Sequence, residues 1–151
     1  MRTLITIIIL LNSFFVLGQK RKNVLLPPPV LSMHYPEYMD FCEVLNHKDT
    51  LVYTRMIYRG QDEYWGLSTP DSFCTNKIYA YLNIPDSVKM NKKFLNYFKT
   101  VHENYWNTYL IIDAIGVFKN DKKPGYGHLG NNKSQFIVNS FVNIQKIIIK
   151  P

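Results

Sequence analysis

TLVYTRMIYRGQDEYWGLSTPDSFCTNKIYAYLNI (Thr50–Ile84) carries three strand signals in succession. Thr50 to Tyr58 is dense in β-branched and aromatic residues, the types that suit a pleated, half-buried surface. Arg59-Gly60-Gln61-Asp62 reads as a turn, and Glu63 to Leu67 resumes the extended pattern through Tyr64 and Trp65. Thr69-Pro70-Asp71 breaks it. Lys77 to Ile84 then sets Ile78, Ala80, Leu82 and Ile84 against Tyr79, Tyr81 and Asn83, so one face is apolar and the other is aromatic and polar.

Past Ile84 the period changes. Pro85-Asp86-Ser87 punctuates the chain, and Asp86 or Ser87 is placed to cap a helix. Phe94, Leu95, Phe98, Val101, His102 and Tyr105 follow as one stripe at helical spacing. Thr108 to Phe118 is a fourth strand, Asp121 to Lys133 a Gly- and Lys-rich loop, and Gln135 to Ile149 a long fifth strand. Upstream, Asp40 to Asn46 puts Phe41, Val44 and Leu45 on one face of a short helix that Asp40 would cap. The chain is therefore expected to be mainly β with one long helix. The order β-β-β-α-β-β is that of an OB-like five-stranded Greek-key barrel. An α+β sheet with one packed helix is the other candidate, and the order favours the barrel.

The N-terminus bears on how the rest is read. Arg2 is positive, Leu4 to Leu11 is almost entirely apolar, and Phe14 to Leu17 continues the run to a cleavage point before Gln19. The run is shorter than the roughly 20 apolar residues of a transmembrane helix. No Cys follows it, so the lipid-attachment signal of a bacterial lipoprotein is missing. Residues 1–18 are read as a signal peptide. The expected product is secreted or periplasmic, with no stable membrane insertion after cleavage. Residues 19–39 form a basic, Pro-rich leader, with Lys20, Arg21 and Lys22 ahead of an extended Pro27-Pro28-Pro29 path. Residues 40–151 suit one domain with a real core. An aromatic content of 15% spread along the chain excludes disorder for most of it.

Cys42 and Cys74 are the two cysteines. In an exported chain an even pair reads as a disulfide. Closing a loop of that size stabilises a fold by about 3–4 kcal/mol in the chain-entropy picture. In an antiparallel pair the end of strand two lies beside the start of strand one. Cys42 precedes the first strand and Cys74 follows the second, so the barrel brings them together. Without CxxC spacing they make a poor metal or redox pair.

Net charge is +7, or +6 once Arg2 leaves with the signal. A basic surface favours acidic partners. The basic residues are dispersed, whereas a nucleic-acid footprint is clustered. A solvated basic surface without a dedicated partner is the favoured reading; an envelope protein or an anionic polymer is the candidate partner, its identity open, and nucleic acid is disfavoured.

Cys42 in a short helix, Tyr58-Arg59-Gly60 with Glu63, and Cys74 leading to Ile78 and Tyr79 resemble the first half of a group of small exported bacterial OB-like domains. Gly116-Val117-Phe118, Gly125-Tyr126-Gly127-His128-Leu129-Gly130 and Phe136 to Val142 resemble the second half. The resemblance covers Asp40 to Ile149, and the Tyr-Gly-His-Leu-Gly string is its most distinctive piece. It implies the barrel and carries over no catalytic residue, since the group has no assigned activity. The chain departs from the pattern at Asn46-His47-Lys48-Asp49, where an Asn-Pro and a Gly would enter strand one.

The Gly125–Gly130 loop has glycines that permit positive φ. Its backbone amides, with Lys122 and Lys123 nearby, offer an anion site. The Gly-Lys-Ser/Thr ending of a phosphate loop is missing, and a hairpin loop with Tyr126 and Leu129 packed back on the barrel is the favoured reading. His128 has three options: a metal ligand, a base, or a hydrogen-bond partner for a strand carboxylate such as Glu63. His34, His47 and His102 supply no HxH or HExxH partner, which favours pinning of the loop, and His102 reads as a core-edge residue. Asp62 and Glu63 are adjacent and would point to opposite faces of a strand.

Tyr53, Tyr58, Tyr64, Trp65, Tyr79 and Tyr81 concentrate on the first three strands, interleaved with Arg55, Arg59 and Lys77. An OB barrel binds through strands two and three and the loops after strands one and four. The expected ligand face is therefore Arg59, Glu63, Trp65, Tyr79, Lys122, Lys123 and His128. No nucleophile elbow, triad string, zinc motif or nucleotide fingerprint is present. The reading is a non-enzymatic binding or interaction module without metal or cofactor. A structural envelope protein without a small ligand, or an oligosaccharide or nucleic-acid binder, stands beside it.

Overall fold

The computed structural model describes residues 29, 35–70, 74–121, 123 and 125–150. The expected signal peptide, most of the expected leader and Lys122 lie outside the described residues. Six strands form one mixed sheet: β1 (Tyr38–Asp40), β2 (Leu51–Gln61), β3 (Tyr64–Ser68), β4 (Tyr79–Asn83), β5 (Thr108–Lys119) and β6 (Gln135–Ile148). The helix α1 (Lys92–Glu103) lies between β4 and β5.

The long strands form where β-branched and aromatic residues are densest. β2 pairs antiparallel with β3 and β5, β3 with β4, and β5 with β6, while β4 and β6 pair in parallel. The pairings run β2–β3–β4–β6–β5 and return to β2. Val52, Met56 and Tyr58 of β2 face the core with Leu67, Ala80, Leu82, Leu110, Ile112, Phe136 and Val138. Phe41 closes one end, its ring edge-on to Phe118 and Phe136 at 6.4 and 6.2 Å.

β1 is the strand that sequence reading missed, and it makes six where five were expected. It pairs in parallel with Tyr53–Arg55, on the edge of β2 that β3 occupies further along. Tyr38 and Met39 therefore belong to the sheet and not to the leader. Tyr38 meets the Tyr53 ring edge-on at 5.5 Å, and the Tyr53 hydroxyl donates to the Pro29 carbonyl at 2.9 Å. Three residues are too few to show a period in the sequence.

Two helix caps differ from expectation. α1 is capped by Asn91, whose Oδ1 accepts from the Phe94 N–H at 2.8 Å. Pro85 instead opens a tight turn, closed by the Val88 N–H to the Pro85 carbonyl at 2.9 Å, which keeps Asp86 and Ser87 out of the helix. Phe94, Phe98 and Val101 pack inward as the stripe requires, Tyr97 joins them, and Leu95 is exposed. Asp40 ends β1 and accepts from the Tyr38 hydroxyl, so it caps nothing. Only a 3₁₀ turn, Val44–His47, follows, without a side-chain cap. Phe41 and Val44 are buried there and Leu45 is exposed.

Cys42 and Cys74 are bonded, with their Cα atoms 5.8 Å apart. The bridge ties the turn after β1 to the β3–β4 connection. The departing stretch before β2 is closed by Asp49 at φ 62, a left-handed position that Asp tolerates better than most residues. Its N–H donates to the Phe118 carbonyl at 3.0 Å, and its carboxylate pairs with Lys119 at 3.2 Å.

Candidate functional site

β2 outruns one neighbour. Its pairing with β5 ends at Tyr58↔Leu110, whereas its pairing with β3 continues to Gln61↔Tyr64. The β2–β3 hairpin therefore projects beyond β5. Its turn is Asp62-Glu63, narrower than the four-residue turn expected, with Asp62 at φ 51. Period-two alternation places Arg59 on the side away from the core, opposite Gly66. Gly66 has no side chain to fill the space, and a Cβ there would lie 3.3 Å from the Ala80 carbonyl oxygen.

An open cleft of about 690 Å³ results. The hairpin forms one wall with Arg59, Glu63 and Tyr64. The β3–β4 connection forms the second with Pro70 and Lys77, and the loop before β6 forms the third with His128, Asn131 and Asn132. The volume suits a small ligand or one segment of a larger one. The Cys42–Cys74 bridge lies three residues before Lys77 and anchors the second wall.

The third wall is built by glycines. Gly125, Gly127 and Gly130 have φ of 144°, 73° and 69°, so this loop needs their freedom. Tyr126 is buried and its hydroxyl donates to the Asp121 carboxylate. Leu129, expected to pack back, is 79% exposed, because its own left-handed φ of 53° turns the side chain outward. Two of the amides expected to hold an anion, those of Tyr126 and Gly130, are engaged within the loop. Tyr126 and Asn132 exchange backbone hydrogen bonds at 2.8 and 3.1 Å, Gly130 donates to Gly127, and Asn131 donates to His128.

His128 takes the partner foreseen in Glu63. Its Nε2 lies 2.9 Å from the Glu63 carboxylate, and its ring stands edge-on to Tyr64 at 6.3 Å. Both side chains are largely exposed, so the contact contributes about 0–1 kcal/mol. It fixes the loop against the hairpin and closes one end of the cleft.

Of the residues expected on the ligand face, Arg59, Glu63, Tyr79 and His128 line the cleft together. Trp65 does not line it. Alternation puts Trp65 on the inner side with Leu67, stacked on Tyr58 at 5.3 Å and against His102 at 4.1 Å. Lys123 is exposed and outside the lining, and Lys122 lies outside the described residues. Tyr64, Lys77, Asn131 and Asn132 also line it. Tyr64 and Lys77 were visible in the sequence as part of the aromatic and basic interleaving. Asn131 and Asn132 gave no signal, since loop asparagines are ordinary turn residues.

Three other members of the aromatic and basic set are occupied elsewhere. Tyr53 and Tyr58 are buried. Arg55 is 3% exposed and forms a two-pronged pair with Asp113 of β5, at 2.5 Å from Nε and 2.8 Å from Nη2. Burial pushes the Tyr53 hydroxyl up to about 12, with the Asp113 charge adding to it. Burial also raises Tyr58 and Tyr38 and lowers His102, whose Nε2 lies 3.0 Å from the Tyr58 hydroxyl.

The cleft cations differ from Arg55. Arg59 and Lys77 are exposed, and neither has an ion-pair or hydrogen-bond partner among the described residues. Among the described residues no three His, Cys, Asp or Glu side chains converge as metal ligands. No helix among them is long and apolar enough to cross a membrane. Set against known proteins, the chain matches no family, no curated protein and no solved structure.

Proposed function

We propose that this chain is an exported, non-enzymatic binding module on an OB-like barrel, and that its cleft takes an anionic ligand. The ring of pairings through β2, β3, β4, β6 and β5, with the helix between the third and fourth of these in sequence, supports the barrel reading. β1 is then an accessory strand, and the cleft lies where such a barrel binds. The reading agrees with the resemblance to small exported bacterial OB-like domains. The disulfide supports an oxidising compartment, as an apolar leader of signal-peptide type does.

One observation carries the ligand class: two cations without partners among the described residues, Arg59 and Lys77, face one cleft whose carboxylate, Glu63, is engaged by His128. An anion entering it meets positive charge that no described residue pairs with. The test is an amide-shift map of the labelled protein with poly-glutamate, polygalacturonate and dextran sulfate. The reading expects the largest shifts at Arg59, Gly66, Tyr79 and Asn132 with at least one probe. It fails if no probe shifts these amides at low salt, or if shifts concentrate away from the cleft, which would leave a structural role or a protein partner.

A further inference from the structure

We infer that the cleft is the middle of one continuous groove that takes an extended anionic oligosaccharide, an inference that rests on the anion-binding reading of the cleft. A second hollow of about 620 Å³ is lined by hairpin residues together with Tyr105 and Trp106. It shares Arg59 and Tyr64 with the cleft. A third hollow of about 440 Å³ shares Lys77, Tyr79, Asn131 and Asn132 with the cleft, and ends at Leu45 and Lys133. Hollows with lining side chains in common adjoin one another, so the three follow in sequence from Trp106 to Lys133. A compact ligand would use one hollow, whereas the path suits a chain.

Three cations against two carboxylates leave the path with a net positive charge. Arg59, Lys77 and Lys133 are exposed cations without partners among the described residues. Asp62 opposes them near one end, and Glu63 is held by His128. Three aromatic side chains stand along the same path with most of their surface in water: Trp106 at 65%, Tyr64 at 64% and Tyr79 at 65% exposed. Apolar surface left in solvent along a groove marks an interaction site. An acidic sugar matches this mixture, because its ring presents a C–H face to an aromatic plane while its hydroxyls and carboxylate reach amides and cations. The Asn131 and Asn132 side chains supply amides that bond to no other described residue. A protein partner would instead be anchored by large side chains in well-packed, desolvated pockets, and these hollows are open.

The experiment is calorimetry with oligogalacturonides of increasing length, from dimer to octamer, on the native protein and on Trp106→Ala. The exposed Trp106 can be removed without disturbing the core. The groove predicts affinity that rises at least about tenfold from dimer to hexamer, as linked contacts add. It also predicts that Trp106→Ala removes most of this gain while dimer affinity stays within about twofold. Equal affinity for dimer and hexamer would overturn the groove and leave the cleft standing. Binding of poly-glutamate or a single-stranded oligonucleotide through Arg59 and Lys77, without binding of the galacturonides, would overturn the sugar class alone. Failure of every probe would remove both the groove and the proposed function.

Discussion

Arg55 and Arg59 lie four residues apart on one face of β2, and the fold uses them in opposite ways. Arg55 sits where β2 has neighbours on both edges, β1 on one and β5 on the other, so Asp113 stands directly opposite it. Arg59 lies one residue past the last pair with β5 and faces Gly66 of β3. The first cation is satisfied inside the structure, and the second has no partner among the described residues. Sequence alone gives both the same reading, because an arginine between aromatic strand residues looks alike in either place. What separates them is the length of the neighbouring strand.

The largest effect expected from this contrast is on stability. Asp113→Ala leaves the Arg55 guanidinium buried without its counter-charge and should cost about 3–5 kcal/mol in a denaturant titration. Arg59→Ala, at an exposed position, should stay within about 0.5 kcal/mol. Replacing Arg55 and Asp113 together by apolar residues of similar volume should recover most of the Asp113→Ala loss. A small loss for Asp113→Ala, or a large one for Arg59→Ala, would break the contrast between the two sites.

A smaller effect should appear with pH. The Tyr53 hydroxyl, against the Arg55–Asp113 pair, is pushed up to about 12, while an unfolded tyrosine ionises near 10. Between these values the unfolded chain loses a proton that the native state keeps. The stability from this site is thus fully present below about pH 10 and falls as pH rises towards about 12. Tyr38 and Tyr58 are raised by burial and act in the same direction. His102 acts at the other end: its lowered value means that native stability is present above about pH 6.5 and declines as pH falls. Denaturant midpoints from about pH 9 to about pH 11.5 check the alkaline limb, and Tyr53→Phe should flatten it.

The long elements of this fold were legible. β2 to β6 and α1 each carry a period or a β-branched run over at least one full strand or three turns, and each forms where the pattern lies. The disulfide was legible from the two cysteines flanking a hairpin. β1 was not, because a three-residue strand is defined by its partner, Tyr53–Arg55, and not by its own pattern. The helix start at Asn91 was obscured by the capping types at Asp86 and Ser87, which a Pro85 turn takes instead. At the site, Arg59, Glu63, Tyr79 and His128 were found together through strand order and one recognisable loop. Trp65 was misplaced because its face depends on the hairpin register, which two residues of turn decide. Asn131 and Asn132 act through a glycine-bent loop whose shape has no sequence period.

The account turns on whether the unused charge of Arg59 and Lys77 binds a ligand. The most direct measurement is the affinity for poly-glutamate, polygalacturonate and dextran sulfate of the native protein and of the Arg59→Gln/Lys77→Gln variant, at low and physiological salt. The account predicts that the native protein binds at least one of them and that binding weakens with salt. It predicts that the variant keeps its denaturant midpoint and loses at least about tenfold in affinity. Equal binding by a variant of unchanged stability would contradict it.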